Sequence, residues 1–367
     1  MRLEGVVELG DLQVKLVWFD SMGAKSSCIL VKTPGVNILV DPGAAEMQPG
    51  YPLPPEEKER LLLEAREAIL RAAGEADMVI ISHYHYDHHT LPRGFEELYR
   101  GKELWIKDPN RWINQSQWGR ARLFLEQLAE VYGVEGERYT EPQQREFEDP
   151  LEKLPLAVQK DFGDYQRRRE ELLEAGRRWF RKVAEMWASK KWCREFESDD
   201  VKVRFADGKS LRFGRTHIRF TEPLFHGIEY ERTGWVFATV IERGGVKVLH
   251  SSDLQGPLIE DYAEWIVKEK PDLLILDGPT TYLFGYMLNR INLNRSVENA
   301  VRIVRELEDS MIIYDHHLLR DALYRERVSK VYEEAEKLGR RVLTAAELYG
   351  HKPLILEITE KQRGETG

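Results

Sequence analysis

The chain has 367 residues, 42% of them hydrophobic and 32% charged, with a formal net charge of −9. That length holds one large domain or two small ones with a sizeable core, and the negative balance weighs against general affinity for nucleic acid or acidic membranes. Cys28 and Cys193 are too few for a disulfide framework and fit a reducing compartment. No signal peptide is visible at Met1-Arg2-Leu3-Glu4-Gly5, and no stretch approaches the roughly 20 apolar residues that span a bilayer. The expectation is a cytoplasmic protein without a membrane partner. Its wealth of Glu, Lys and Arg resembles thermophile surfaces.

Alternation over Leu12-Gln13-Val14-Lys15-Leu16-Val17 predicts strand within 5–19, and residues 28–40 predict two strands flanking a Pro-Gly turn. Pro54 and Pro55 open a helix over 55–73, with Leu61, Leu62, Ala65, Ile69 and Leu70 at helical spacing and Gly74 closing it. Met78-Val79-Ile80-Ile81 reads as a buried strand. Residues 111–132 and 151–195 read as helices, and 105–200 as a helical insertion within a single domain spanning 1–367. Strands return at 201–205 and 216–220, and 235–242 with 246–250 form a hairpin around Gly244-Gly245. Then come helix 258–269, strand 273–277, helix 296–308, strand 311–314, helix 321–338 and strand 341–344. The polar tail from Lys361 to Gly367 is expected to be disordered. Strands first, then strands alternating with helices, predict an α/β architecture of sheets covered by outer helices.

The densest chemistry follows the apolar run at 78–81. Within Ser82-His83-Tyr84-His85-Tyr86-Asp87-His88-His89, four histidines and an aspartate fall in seven positions, in a chain with ten histidines. Imidazole and carboxylate are the ligand types that zinc, iron or manganese accepts. On a strand-like segment His83 and His85 point the same way and can grip one ion. Asp87 and His88, just beyond, can turn toward a second.

This spacing resembles the signature of the metallo-beta-lactamase-fold hydrolases. Further segments resemble the other motifs of that family in order: Asp41 in Ile38-Leu39-Val40-Asp41-Pro42-Gly43, His226 in Pro223-Leu224-Phe225-His226-Gly227, Asp253 in Val248-Leu249-His250-Ser251-Ser252-Asp253, and His316 in Ile312-Ile313-Tyr314-Asp315-His316-His317. The form Ser-His-x-His-Tyr-Asp-His is closer to the branch of lactonases and phospholipase-D-like enzymes than to the tRNA-maturation nucleases. It is also similar to a functionally uncharacterised archaeal branch of the fold. The resemblance implies an αββα sandwich with its site at one edge of the two sheets. It implies that His83, His85 and His226 hold one divalent metal ion, that Asp87, His88 and His316 hold another, and that Asp253 bridges them. Zinc is the first expectation for both ions, with manganese or iron as alternatives. The implied activity is that of a metal-dependent hydrolase in which a hydroxide bridging two ions attacks a small-molecule ester, a phosphodiester or a lactone. Asp87 and His317 are the candidate catalytic residues. Asp315 fills the small or polar slot before the family's fifth histidine, which favours His316 as ligand and leaves His317 for acid–base work. Asp41 is expected to orient the metal loop by hydrogen bonding.

Other readings stand beside these. A nuclease acting on RNA or DNA would use the basic residues Arg167, Arg168, Arg169, Arg177, Arg178, Arg181, Lys182, Lys190 and Lys191, interleaved with Trp179, Trp187 and Trp192. Glu170, Glu171, Glu174 and Glu185 among them favour an amphipathic helix with packed tryptophans instead. A non-hydrolytic metal-binding protein of the same fold is a third reading. Asp315-His316-His317 also matches the tripeptide of DHH phosphoesterases, whose upstream aspartate-rich motif is missing. His89 reads as surface or pocket lining, and His217, His250 and His351 as structural or solvated. Ordinary packing is preferred for Tyr84, Tyr86 and Tyr282. The insertion leaves the sheet between the second and third motifs, so it is expected to wall or cover the pocket or to form an oligomer contact beside it. The ligand set itself does not need it. A homo-oligomer is compatible with all of this.

Overall fold

The computed structural model describes residues 5–143 and 145–365. The leader question at Met1–Glu4 and the last two residues of the polar tail lie outside them. Two sheets carry the fold. The first orders its eight strands Val6–Leu9, Leu12–Phe19, Ser27–Lys32, Asn37–Val40, Met78–Ile81, Lys102–Ile106, Val201–Phe205 and Phe196–Glu197. The second orders its seven strands Ser210–Phe213, Thr216–Phe220, Thr239–Arg243, Val246–His250, Leu273–Asp277, Met311–Asp315 and Arg341–Leu343.

The strand period of two decides how these sheets stack. Ile29, Val31, Ile38, Val40, Met78 and Ile80 face Ile218, Ile241, Val248, Leu273, Ile275 and Ile313 in one apolar core between the sheets. The alternate residues Leu30, Leu39, Val79 and Ile81 pack outward with Leu61, Ala65 and Ile69 of helix Pro55–Ala73. On the far side Leu249, Leu274, Leu276 and Ile312 pack with Ile266, Val297, Ile303 and Val331 of helices Glu260–Glu269, Arg290–Glu306 and Ser329–Leu338. Runs apolar on both faces, such as 78–81 and 273–277, are therefore strands buried between a sheet and a helix layer. The result is the αββα sandwich.

The helix beginning at Arg290 starts earlier than the expected 296, because Asn289 caps it by accepting from Asn292 N–H at 2.8 Å. The expected helix 321–338 is two, Tyr324–Arg327 and Ser329–Leu338, parted at Val328. The expected disordered tail is instead the end of helix Leu354–Glu365, whose Ile355 is buried. Strand Ser210–Phe213, not expected, pairs antiparallel with Thr216–Phe220.

Lys102–Ile106 and Val201–Phe205 are parallel neighbours, so the segment between them is one long crossover. It carries helices Gln115–Val131 and Gln166–Ser189. The expected helix 151–195 is shorter because Pro150 and Pro155 open brief helical turns and Gly163, at φ 54°, breaks the chain before Gln166. Trp187 is fully buried, its indole N–H donating to Ile113 O at 2.9 Å, and Trp179 stacks on Trp235 with centroids 5.5 Å apart. Arg168 and Arg178 face outward beside Glu171 and Glu174. The crossover thus shares the main core rather than standing apart from it.

Candidate metal centre

The candidate ligands, and Asp41 that orients them, follow the C-terminal ends of strands. Val40 leads to Asp41, Ile81 to Ser82-His83, Phe225 to His226, His250 to Ser251-Ser252-Asp253, and Asp315 to His316. Parallel registers Val40↔Ile80, His250↔Ile275 and Asp277↔Asp315 keep these ends level, so loops of both sheets meet along one edge. Asp41, Ser252 and His316 have φ of 49°, 53° and 66°. Non-glycine residues hold such left-handed conformations only where the surroundings fix them, and they gather at functional sites. A Cβ on Gly43 would lie 2.2 Å from the backbone nitrogen of His89 and 2.5 Å from that of His88. The histidine loop therefore rests on the 41–43 turn at a distance that only glycine permits.

The seven residues expected as ligands converge. His83, His85, His226 and Asp253 place one ligand atom each within 4.8 Å of one another, as do Asp87, His88 and His316. Asp253 stands between the groups. Its Oδ2 is 3.4 Å from His83 Nε2 and 3.0 Å from His226 Nε2, while Oδ1 is 3.1 Å from His88 Nε2 and 3.5 Å from His316 Nε2. His83 Nε2 and His85 Nδ1 are 3.0 Å apart, and His88 Nε2 and His316 Nε2 are 3.2 Å apart.

These residues fit a metal centre. Both oxygens of Asp253 and Nε2 of His226 are buried without the angles of a hydrogen bond to any partner. Buried polar atoms left this way are costly unless something meets them, and imidazole with carboxylate is a donor set that divalent cations take. The second group is less free. Arg320 Nη2 donates to Asp87 Oδ2 at 3.0 Å and lies 3.3 Å from His316 Nε2.

Surrounding hydrogen bonds fix the imidazoles. Asp41 Oδ2 accepts His88 Nδ1–H at 2.8 Å and the Ser82 hydroxyl at 2.7 Å, and its Oδ1 accepts Ser82 N–H at 2.7 Å. Asp20 Oδ1 accepts His316 Nδ1–H at 2.9 Å, and Arg320 Nε donates to Asp20 Oδ2 at 2.5 Å. Both histidines are thereby left with Nε2 toward Asp253. Burial opposes charge on His88, yet Asp253 and Asp41 outweigh it and push the imidazole up to about 10. Burial and the neighbouring His88 instead bring His83 down to about 4.

His317 has a different setting. Its Nδ1 lies 3.0 and 3.1 Å from the two Asp277 oxygens, and its ring lines a cavity of about 350 Å³ beside His85, Asp87 and His226. It also comes within reach of Asp253 and His316. Burial, then Arg320, holds its imidazole well below the usual range, and burial with Asp253 pushes the Asp277 carboxyl up. Tyr86 and Tyr282 line this cavity, contrary to the packing expected of them, while Tyr84 is buried and donates its hydroxyl to Lys107 O at 2.6 Å. His89 is buried, donating Nδ1–H to His85 O at 2.8 Å, and His250 bonds Ser27 O at 2.8 Å. His217 is half-buried on its strand and His351 is exposed.

Asp20, Asp277, Arg320 and Gln117 were not singled out in the sequence. Asp20 and Asp277 do carry the signal that marked Asp41, a carboxylate where an apolar strand stops. Gln117, on the crossover helix, accepts Tyr84 N–H at 3.0 Å and sets its Nε2 3.5 Å from His85 Nε2. Arg120 of the same helix lines the cavity.

A beta-lactamase superfamily domain model matches residues 22–143. The UPF0282 protein of Methanopyrus kandleri is 36% identical over 357 residues, spanning 94% of this chain and 97% of that protein. The UPF0282 protein of Korarchaeum cryptofilum is 33% identical over 347 residues, spanning 94% and 91%. Among solved structures, unliganded yeast PDE1 aligns with 92% of this chain and 98% of its own at 11% identity and a TM-score of 0.43.

Proposed function

The chain belongs to the UPF0282 family, within the metallo-beta-lactamase superfamily, and on that premise we propose that it is a dinuclear metal-dependent hydrolase of a small ester, a phosphodiester or a lactone. The observation that carries this reading is Asp253, a buried carboxylate without hydrogen bonds, set between two groups of imidazoles. His83, His85 and His226 would hold one ion, Asp87, His88 and His316 the other, and Asp253 both. Zinc is the first metal to test, then manganese and iron. Bound there, the ions supply a hydrolytic nucleophile at neutral pH and a Lewis acid for the ester oxygen.

The chain's own residues supply the rest. Asp277 anchors His317 through Nδ1–H, which leaves the lone pair of Nε2 at the cavity to take a proton from the nucleophile and pass it to the departing alcohol. Asp87, steadied by Arg320, lines the same cavity. Ile228, Leu283 and Leu288 add apolar surface to the cavity lining. No helix among the described residues is long and apolar enough to cross a membrane. The nuclease reading has less support, because the crossover tryptophans pack inward and its outer arginines pair with glutamates.

Metal-replete protein assayed with bis(p-nitrophenyl) phosphate, a lactone panel, and labelled RNA and DNA tests this. Chelator-sensitive turnover of a small ester is expected. Cleavage confined to RNA or DNA, with binding that weakens steeply in salt, would establish the nuclease instead.

A further inference from the structure

Three cations line the cavity: Lys25, Arg120 and Arg320. Arg320 is committed to Asp20 and Asp87. Among the described residues the other two form no ion pair with a carboxylate. Lys25 is half-buried and its backbone is pinned by a reciprocal pair of hydrogen bonds with Ala45, at 2.9 and 3.0 Å. Among the described residues its ammonium has no hydrogen bond and no carboxylate oxygen within 4.0 Å. Arg120, also half-buried, stands 4.9 Å over the Tyr86 ring, and among the described residues its hydrogen bond goes to the Tyr84 carbonyl at 3.4 Å. Lys160 pairs with Glu260 at 3.1 Å, Lys247 with Glu269 at 3.2 Å and Arg219 with Glu269 at 2.7 Å, while the buried Lys58 and Arg122 each donate to two or more carbonyl oxygens.

A cation withdrawn from water and left without a counter-ion is unfavourable, and an arriving anion relieves it. Burial disfavours the Lys25 charge, and Asp87, Asp20 and Glu46 attract it only from beyond ion-pair distance without offsetting that burial. Asp87 is tied to Arg320, and Glu231 accepts Arg232 N–H at 3.0 Å. Among the described residues neither Lys25 nor Arg120 makes a hydrogen bond or ion pair with a member of the His/Asp cluster. Leu283, Leu288 and the 62% exposed Met287 add an apolar side to the same cavity.

Resting on the hydrolase reading above, we propose that the substrate is an anion with an apolar body, whose carboxylate or phosphate, apart from the bond that is cut, is held by Lys25 and Arg120. Calorimetric titration of the metal-loaded protein with 4-phenylbutyrate, phenyl phosphate and the neutral 4-phenylbutanamide tests it. At least one anion should bind tenfold or more tighter than the amide. Lys25→Met and Arg120→Met should each weaken that anion about tenfold and leave the amide unchanged. The two anionic arms separate carboxylate from phosphate. Variants with wild-type metal content and melting temperature that bind both anions undiminished would overturn the proposal, and Lys25→Gln or Arg120→Gln replaces a variant that fails to fold. Charge-selective binding without turnover of any ester would count against the hydrolase reading alone and uphold this one.

Discussion

Asp41→Asn isolates the role of the hydrogen bonds behind the metal loop. Asparagine tolerates the left-handed φ of 49° at this position, so the backbone should be kept. The carboxylate accepts three hydrogen bonds, from Ser82 N–H, the Ser82 hydroxyl and His88 Nδ1–H. An amide has one accepting oxygen and one donating nitrogen. With its oxygen kept on Ser82 N–H, its NH₂ meets Ser82 Oγ and His88 Nδ1. The serine hydroxyl can turn to Ser252 Oγ, 2.7 Å away. His88 has no such exit and must move its proton to Nε2, the atom 3.1 Å from Asp253. The second ion then loses a lone pair. Changes to partners of this kind weaken metal binding roughly 10–100-fold, or about 1.4–2.8 kcal/mol. Zinc titration against a chromophoric chelator should show one of two equivalents weakened by that factor, with little change in the metal-free melting temperature. Wild-type affinity for both equivalents would refute the reasoning.

Gly43→Ala forces a Cβ into the His88-His89 backbone, so metal affinity should fall and stability should drop by about 1–3 kcal/mol, read by chelator competition and urea unfolding. Arg295 is 2% exposed and bridges Glu229 and Glu260. Arg295→Met strands two buried carboxylates that Arg169 and Lys160 only partly neutralise, and should cost about 3–5 kcal/mol in urea unfolding, with partial recovery on adding Glu229→Gln. Burial works to raise the Glu229 carboxyl, but Arg295 and Arg169 hold it below the ordinary 4.5. A depressed carboxylate contributes stability that is full above that value and lost as pH falls through its folded one. Urea midpoints should therefore decline below about pH 4.5 more steeply in the wild type than in Glu229→Gln. Asp277→Asn should lower turnover roughly 10²–10⁴-fold at unchanged metal content. His316→Ala should lower occupancy of the second position while His317→Ala spares it, and the reverse in metal titrations would move the ligand role to His317.

The strands, and the histidines and aspartates that converge at their ends, are legible because each is written locally. An apolar run that stops at a histidine or aspartate marks both a buried strand and a residue delivered to the sheet edge, as at Ile81, Phe225 and Asp315. What was hidden depends on contacts far apart in the chain. Asp20 meets His316 across 296 positions, and Arg320 meets Asp87 across 233. The pairing of an adjacent His316 and His317 with different aspartates, Asp20 and Asp277, is set by strand register, which no local pattern records. The crossover's tryptophans pack as the sequence predicts, but no local pattern records that Trp112, Phe180 and Trp187 meet Trp235 or that Gln117 abuts His85. Replacing residues 105–200 by a linker would open the core and loosen the histidine loop, where the ligand list alone suggested that metal binding would survive.

Metal stoichiometry tests the central claim most directly. Elemental analysis of protein purified metal-replete and desalted should find two divalent ions per chain, with both depleted in Asp253→Ala and one in the double variant His83→Ala, His85→Ala. A folded wild-type chain that retains no metal under those conditions would contradict the account.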